Sequence, residues 1–520
     1  MSLSDPAAIR ALTERLVGIA SVSPDVLGET RCAEALIESL PLGIEHGTWP
    51  TPDGRPVVWA LVRGRTPRTL VMLGHYDTVG FDEYTALGAS AGSNIALDPA
   101  ALREQLVTEG AARAYGELLA RDVEEEWRRP GTWMFGRGSL DMKSGLAAGL
   151  AALSDLAASA DSLGGSVMFV ATPDEENHSI GMRTALGRLL DYQLERAADF
   201  LGVLNLDYSD TPAAYRGALG KSRVALWVLG TPAHAARPFE AVDAAQIAAH
   251  IVLSATLSPS LIERFEEMTS PPPVALRIRD LKPRYDVQTA VEATVELNVL
   301  TFARKPAEIL ERVRGVAQMA AADVLKRRDA LRGENRLERG THVASPTPVV
   351  KTLDELEEGL SFSVDEMLTS LSAAASGGRE VARSTLTRLR DLATRARLTG
   401  PSVVLYQLPP HYPAVAPREG PLSRAAAEVL GREGVELKPF YPFVTDASLL
   451  ADPMAPHFNA GAALPSLRSA HKPAGSEPDI VTLGPWGRGA HGPFERVNAV
   501  YAFEKLPRMI SAVARAAVRA

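Results

Sequence analysis

The sequence is poor in cysteine: Cys32 is the only one in 520 residues. No internal disulfide is available, and a reducing compartment, the cytoplasm, is the expected location. An excess of positive charge is also missing. The formal net charge is −8, which argues against nucleic acid or an anionic membrane as the principal partner. No apolar run approaches the roughly 20 residues that cross a bilayer. The N-terminus lacks the basic-then-apolar order of a secretory signal, and there is neither an internal repeat nor a low-complexity tract. What remains is 46% hydrophobic and 23% charged, a globular composition. The chain is too long for one ordinary core, so two or more domains are expected.

Secondary structure follows from periodicity and from local stop signals. Asp5 and Pro6 suit the N-cap and first position of a helix, with Ile9, Leu12 and Leu16 on one face. A second helix is expected over residues 29–40, and strands over 57–62 and 69–73. The second of these strands is apolar enough to be central in a sheet. Residues 80–131 read as a mixed, partly helical insertion over the site. From Asp141 an Ala-rich helix carries Gly145 and Gly149 on one side, a spacing that suits close packing at some cost in propensity. A strand over 166–171, a helix over 181–197 and a strand over 200–206 continue the alternation. This predicts an open α/β sheet with parallel central strands.

After Pro212 the pattern changes. A strand at 221–229, a helix at 241–254, a β-rich run at 285–300 and a helix at 306–327 read as a separate α+β unit. A polar helical stretch follows over 353–398, with its turn at 373–378. Residues 402–405 read as a return to the first sheet. A helix at 422–430, a loop entering a short helix at 445–450, a last strand at 480–483 and a closing helix at 497–518 complete the reading.

Metal-type residues fall just past strands. His75 follows the strand at 69–73, Glu175 and Glu176 follow 166–171, and Asp207 follows 200–206. In an open α/β sheet, ligands gather beyond the carboxyl ends of the strands. Asp77, two residues beyond His75, is placed to accept its second ring N–H and fix the tautomer. Asp141 opens a helix; alone it is as well explained as a cap, but beside the others it reads as a carboxylate bridging two metals. Adjacent glutamates point different ways, so one can bind metal while the other serves as general base. Asp210 competes with Asp207 for the ligand role. His491 lies after the last strand, in a loop where Gly484, Arg488 and Gly489 are placed to offer N–H groups to an anion. His178 and His471 are assigned to structure or surface. His46, His250, His342, His411 and His457 carry no pattern.

Taken together, GHYDTV, GRGSLDMKSG, DEEN, NLDYSD, GTPAHAARPFEAVDA and GRGAHGPFE resemble the M20 family of co-catalytic zinc peptidases and amidohydrolases. The segments KSRVALWVLGTPAHAARPFEAVDA and PPPVALRIRDLKPRYDVQT, with the long stretch between GHYD and FGRG, resemble its RocB-type arginine-utilisation branch. The resemblance implies that His75 and Asp207 hold one zinc and Glu176 and His491 the other, with Asp141 bridging. Asp77 would orient His75, and Glu175 would be the base. His234 matches a lid-domain histidine that stabilises the oxyanion, in dimeric members from the neighbouring subunit. Arg237 is a weaker match for a substrate carboxylate. An Asp in NLDYSD stands where many relatives have a Glu-Pro turn.

The expected fold is thus a zinc-peptidase-like α/β catalytic domain, residues 1–211 and 401–520, with a mixed, mainly parallel sheet. An inserted α+β lid of the dimerisation type takes 212–400. The expected reaction is hydrolysis of an amide bond in a peptide, an N-acyl amino acid or an arginine-related compound through a di-zinc-bound water, with cobalt or manganese as alternative metals. The expected partners are a small-molecule or short-peptide substrate and a second copy of the chain, joined through the lid. A related deacetylase or carbamoyl hydrolase, and a non-catalytic metal-binding regulator on the same scaffold, are the rival readings. The second rival has no need of a base such as Glu175.

Overall fold

The computed structural model describes residues 5–87, 95–108, 116–334, 346–358, 378–451 and 478–519. They form two compact units. The first takes Met1–Ala218 and the described chain from Val415 onward, and the second takes Leu219–Ala414.

The first unit is built on an eight-stranded sheet. Its strands, in chain order, are β1 (Glu45–Pro50), β2 (Pro56–Val62), β3 (Arg68–His75), β4 (Ser166–Thr172), β5 (Asp199–Asn205), β6 (Ala214–Ala218), β7 (Leu437–Tyr441) and β8 (Ile480–Thr482). In space they run β1-β2-β4-β3-β5-β8-β6-β7. The four central strands β4, β3, β5 and β8 are mutually parallel, while β2 against β4 and β8 against β6 are antiparallel. β3 and β4 are buried along almost their whole length, as expected for parallel strands covered on both faces. Register places His75 opposite Thr172 and Asn205 opposite both Leu73 and Thr482. All four parallel strands therefore end at one edge of the sheet, where their following loops meet.

Asp5 caps the first helix, Pro6–Val17, by accepting the Ala7 N–H. The helix Lys143–Ala157 is buried on nearly every side, so it belongs to the core rather than the surface. Its Lys143 ammonium donates to the Leu16 and Ile19 carbonyls, both at 2.8 Å, closing the C-terminal end of the first helix. Gly145 touches the sheet so closely that a Cβ there would lie 2.3 Å from the Leu206 carbonyl oxygen. Gly145→Ala should therefore lower unfolding free energy by about 1–3 kcal/mol, the usual cost of overpacking. Chemical denaturation measures it, and an unchanged midpoint would mean the helix has room to shift.

The described part of residues 80–131 builds a core of its own. Helices Pro99–Thr108 and Glu117–Arg128 bury Leu102, Leu106, Leu119 and Val123 against Trp133, Phe135 and Phe494.

The second unit is a five-stranded sheet in the order Val274–Asp280, Glu292–Thr301, Gly220–Leu229, Ser402–Tyr412, Val349–Thr352. Helices Ala244–Ala255 and Pro306–Glu334 pack on one face through Ile247, Ile251, Val313 and Val324. Leu353–Glu358 and Gly378–Arg395, from the polar helical stretch, pack on the other through Leu356, Leu389 and Leu392 against Trp227 and Tyr406. The turn expected at 373–378 lies almost wholly outside the described residues.

Two expectations change. Residues 402–405 do not return to the first sheet. They pair antiparallel with Leu226–Leu229 of the second, so the units divide at Leu219 and Ala414 rather than at 212 and 400. Glu45–Pro50, Ala214–Ala218, Val274–Asp280, Val349–Thr352 and Leu437–Tyr441 are strands that the sequence does not announce; all but Ala214–Ala218 lie at a sheet edge. Among the described residues no helix is long and apolar enough to cross a membrane.

Candidate metal centre

The shared edge of the parallel strands gathers the predicted ligands of the first unit. His75, the last residue of β3, points Nε2 to Asp141 Oδ1 at 3.1 Å and to Asp207 Oδ1 at 4.0 Å. Asp141 presents its other oxygen, Oδ2, to His491 Nε2 at 3.1 Å. His491 Nε2 also lies 2.9 Å from Glu176 Oε1. Two ligand groups result, His75–Asp141–Asp207 and Asp141–Glu176–His491, each with its ligand atoms within 4.8 Å of one another. Asp141 belongs to both, one oxygen toward each. Asp210 joins neither group.

Asp77 acts differently from expectation. The His75 Nδ1 is nearer the Asp77 main-chain carbonyl, at 3.2 Å, than its carboxylate, at 3.5 Å. The Asp77 carboxylate instead receives the backbone N–H groups of Glu175 and Glu176, each at 3.1 Å. One buried residue thus fixes the histidine through its carbonyl and both glutamates through its carboxylate. The turn before them is held from behind. Asp174 sits at φ 69°, a left-handed conformation costly for a side chain other than glycine. Its N–H donates to Glu29 at 3.0 Å, and its carboxylate accepts from Arg55 at 2.8 Å and Ser23 at 2.7 Å.

With its neck fixed, the glutamate pair diverges. Glu176 reaches His491, whereas the Glu175 side chain receives no hydrogen bond from any described residue. A carboxyl beside the ligands with no structural partner is available for proton transfer.

Electrostatics point to a cation. Burial, then the Asp141 charge, pushes Asp207 up to about 7 and Glu176 above its ordinary range. Burial raises Glu175 well above the usual carboxyl value. Burial opposes charge on His491, yet Asp141 and Glu176 outweigh it and lift the imidazole to about 11. His75 is raised in the same way by Asp141 and Asp77 against burial. Burial disfavours ionised Asp141 too, but His491 and His75 hold its carboxyl well below the ordinary range. Carboxyl groups crowded this closely resist ionisation together. Mixed imidazole and carboxylate donors in two sets sharing one bridge suit divalent ions that accept both N and O ligands, such as zinc.

Three supporting residues escaped the sequence reading. Glu495 accepts the N–H of Leu140 at 2.9 Å and of Asp141 at 3.0 Å, and pairs with Arg137 at 2.6 Å. It lies four residues after His491, inside a quoted motif, but a lone Glu carries no spacing signal. Asp446 is buried at the start of a short helix, where Thr172 Oγ1 lies 3.5 Å from its Oδ2; its Oδ1 has no hydrogen-bond partner among the described residues. Burial pushes its carboxyl up to about 7. Asp122, in the insertion, binds Arg488 and Arg496.

The loop before His491 is not an open anion cradle. A Cβ at Gly484 would lie 1.9 Å from the Asp207 carbonyl oxygen, and Arg488 is engaged by Asp122 at 2.6 Å. His234 and Arg237 belong to the second unit, where both are exposed; His234 Nδ1 accepts the Ala236 N–H at 3.0 Å. His46 bonds the Ile44 carbonyl, and the His178 N–H donates to Asp174. His342, His457 and His471 lie outside the described residues.

Comparison with known proteins agrees with this geometry. Residues 120–519 match the model of peptidase family M20/M25/M40. The uncharacterised protein YqjN of Bacillus subtilis is 28% identical over 89% of this chain and 86% of its own length. Protein RocB of the same organism is 25% identical over 96% and 93%. A tripeptidase of Staphylococcus aureus superposes with a TM-score of 0.57 at 14% identity over the whole of both chains, a likeness of fold. The chain belongs to peptidase family M20/M25/M40 and is a hydrolase of the M20 metallopeptidase and amidohydrolase type.

Proposed function

We propose that the chain hydrolyses an amide bond in a short peptide, an N-acyl amino acid or an arginine-related compound, with two divalent ions, zinc first among them. The observation that carries this is the pair of candidate ligand groups sharing Asp141 beside Glu175, whose side chain receives no hydrogen bond from a described residue. His75, Asp141 and Asp207 would hold one ion and Asp141, Glu176 and His491 the other. Bound there, the ions would polarise the scissile carbonyl and make water acidic enough to attack at neutral pH.

The chain supplies the rest. Glu175 takes the proton from the attacking water and returns it to the leaving nitrogen. Asp77 keeps Glu175 and Glu176 in place through their backbone N–H groups, and holds the His75 tautomer through its carbonyl. His234 is assigned the oxyanion role given by the family resemblance, and its exposed ring keeps Nε2 available while Nδ1 accepts the Ala236 N–H.

The arginine-related option rests on the branch resemblance and on the near-full-length match to RocB. We also propose a homodimer through the second unit. Its support is the edge strand Val274–Asp280, which leaves one side of its backbone unpaired and exposes about half of Leu276 and Ile278. Such an edge is a ready template for a second chain.

Metal-stripped protein reloaded with zinc should bind two equivalents. It should then turn over at least one member of a panel of dipeptides, N-acetyl, N-succinyl and N-carbamoyl amino acids, arginine derivatives included. Chelation should abolish that turnover, and zinc should restore it. Turnover indifferent to chelation would end the metal reading. Two bound equivalents with an inert panel would favour the non-catalytic regulator, and preference for the carbamoyl or acetyl members would select the rival hydrolase.

A further inference from the structure

We propose that Asp122 is a positioning residue for His491, and that the helix Glu117–Arg128 is the clamp that completes the second ligand group. The inference rests on the two-ion reading above. It concerns a segment that the sequence reading took for a covering insertion.

His491 rides on the tip of a hairpin. Strands Gly487–Arg488 and Arg496–Asn498 pair antiparallel, with Arg488 directly opposite Arg496. Two like charges facing each other across a strand pair push it apart. Here both guanidinium groups converge on one carboxylate that is 1% exposed. Asp122 Oδ1 accepts from Arg488 Nη1 at 2.6 Å, and Oδ2 accepts from Arg496 Nε at 2.7 Å and Nη2 at 2.5 Å. Arg488 also lies over the Trp133 and Trp486 rings, 5.5 Å from each centroid, and Arg496 lies 5.8 Å from Trp133. A single buried anion thus bridges the two cations at the base of the hairpin from one side and offsets part of their repulsion. On the other side Glu495 ties the hairpin to the Leu140 and Asp141 backbone.

The tip needs this support. His491 has φ 62°, a left-handed conformation that surrounding structure must impose on a histidine. Its side chain is half exposed, and among the described residues its ring pairs with the other ligands of its group, Asp141 and Glu176. Removing the Asp122 charge leaves the buried Arg496 guanidinium and the partly exposed Arg488 guanidinium facing each other without a shared anion, which is costly unless the strands part. Parting them displaces His491. The other ligand group stands on β3, on the loop after β5 and on Asp141; that loop meets the hairpin through its backbone, the Gly487 N–H donating to the Ser209 carbonyl at 3.1 Å, a bond that uses neither Arg488 nor Arg496.

The test is zinc titration of the metal-stripped full-length protein and of Asp122→Asn, with circular dichroism to verify the fold. His491→Ala marks which of the two equivalents depends on the hairpin. Asp122→Asn should weaken that same equivalent at least about tenfold, the scale at which groups supporting a ligand act, and leave the other within about twofold. If Asp122→Asn does not fold, Arg488→Gln decides, since it removes one contact and the like-charge pair together; the same equivalent should weaken, by less. Both equivalents unchanged, or both weakened alike, would overturn the clamp while leaving the two-ion reading intact. A wild-type protein that binds fewer than two equivalents would overturn both.

Discussion

Asp141→Asn should lose tight binding of both divalent ions at once, with turnover reduced at least roughly a thousandfold. Asp141 is the one residue common to the two ligand groups, giving Oδ1 to the His75 side and Oδ2 to the His491 side. Asparagine keeps the size and one acceptor oxygen but no negative charge, and its amide nitrogen cannot ligate. The backbone should stay in place, because Glu495 holds position 141 through its main-chain N–H. Loss of several kcal/mol of charge stabilisation in the transition state corresponds to three or more decades in rate. Asp207→Asn and His491→Ala should each weaken only one equivalent, so the three variants together separate a bridge from two independent sites. Zinc content after desalting and calorimetric titration are the measurements. Two ions retained by Asp141→Asn would remove the bridge from the site.

The candidate site was legible because the residues it gathers follow strands whose apolar runs announce them. β3 is buried along almost its whole length and ends in His75; β4 ends just before the glutamate pair; β5 ends just before Asp207. Continuous burial forces continuous hydrophobicity, so the strand ends could be located to within a residue or two. What holds the site together was not legible. Asp122 sits on a helix full of charge, and nothing in its spacing tells a buried clamp from a solvated face. Glu495, Arg55 and Glu29 act through backbone N–H groups or one another across long separations. The exchange of Asp77 carboxylate for carbonyl at His75 depends on a few tenths of an ångström.

The same limit explains the strand that changed sheets. Residues 402–405 are apolar enough for either sheet, and a strand's partner is set by long-range register, which a local pattern does not encode. The edge strand Glu45–Pro50, EHGTWP, carries no apolar alternation by which a strand is recognised; Val274–Asp280, VALRIRD, does alternate, but it turns Val274, Leu276 and Ile278 outward instead of into a core. The first helix was placed by its cap, Asp5, whereas Asp25 and Asp243 cap helices that begin at Val26 and Ala244 rather than at the expected 29 and 241.

Glu175→Gln should keep both ions and lose about two to four decades of turnover, the span general acid–base catalysis usually contributes. The two glutamates differ in what they touch. Glu176 is 2.9 Å from His491 and belongs to a ligand group. The Glu175 carboxyl lies among His75, Asp207 and Asp446 without a hydrogen bond from a described residue. Glutamine at 175 matches it in shape and leaves the backbone bond to Asp77 intact, so neither the fold nor the ligands should move. It cannot take a proton. Glu176→Gln should do the reverse, weakening the equivalent that His491 marks before it slows the chemistry on the remaining loaded protein. Metal content beside single-turnover rates on the best panel substrate separates the two. Turnover surviving Glu175→Gln would move the base elsewhere, whereas turnover lost together with an ion would make Glu175 a ligand.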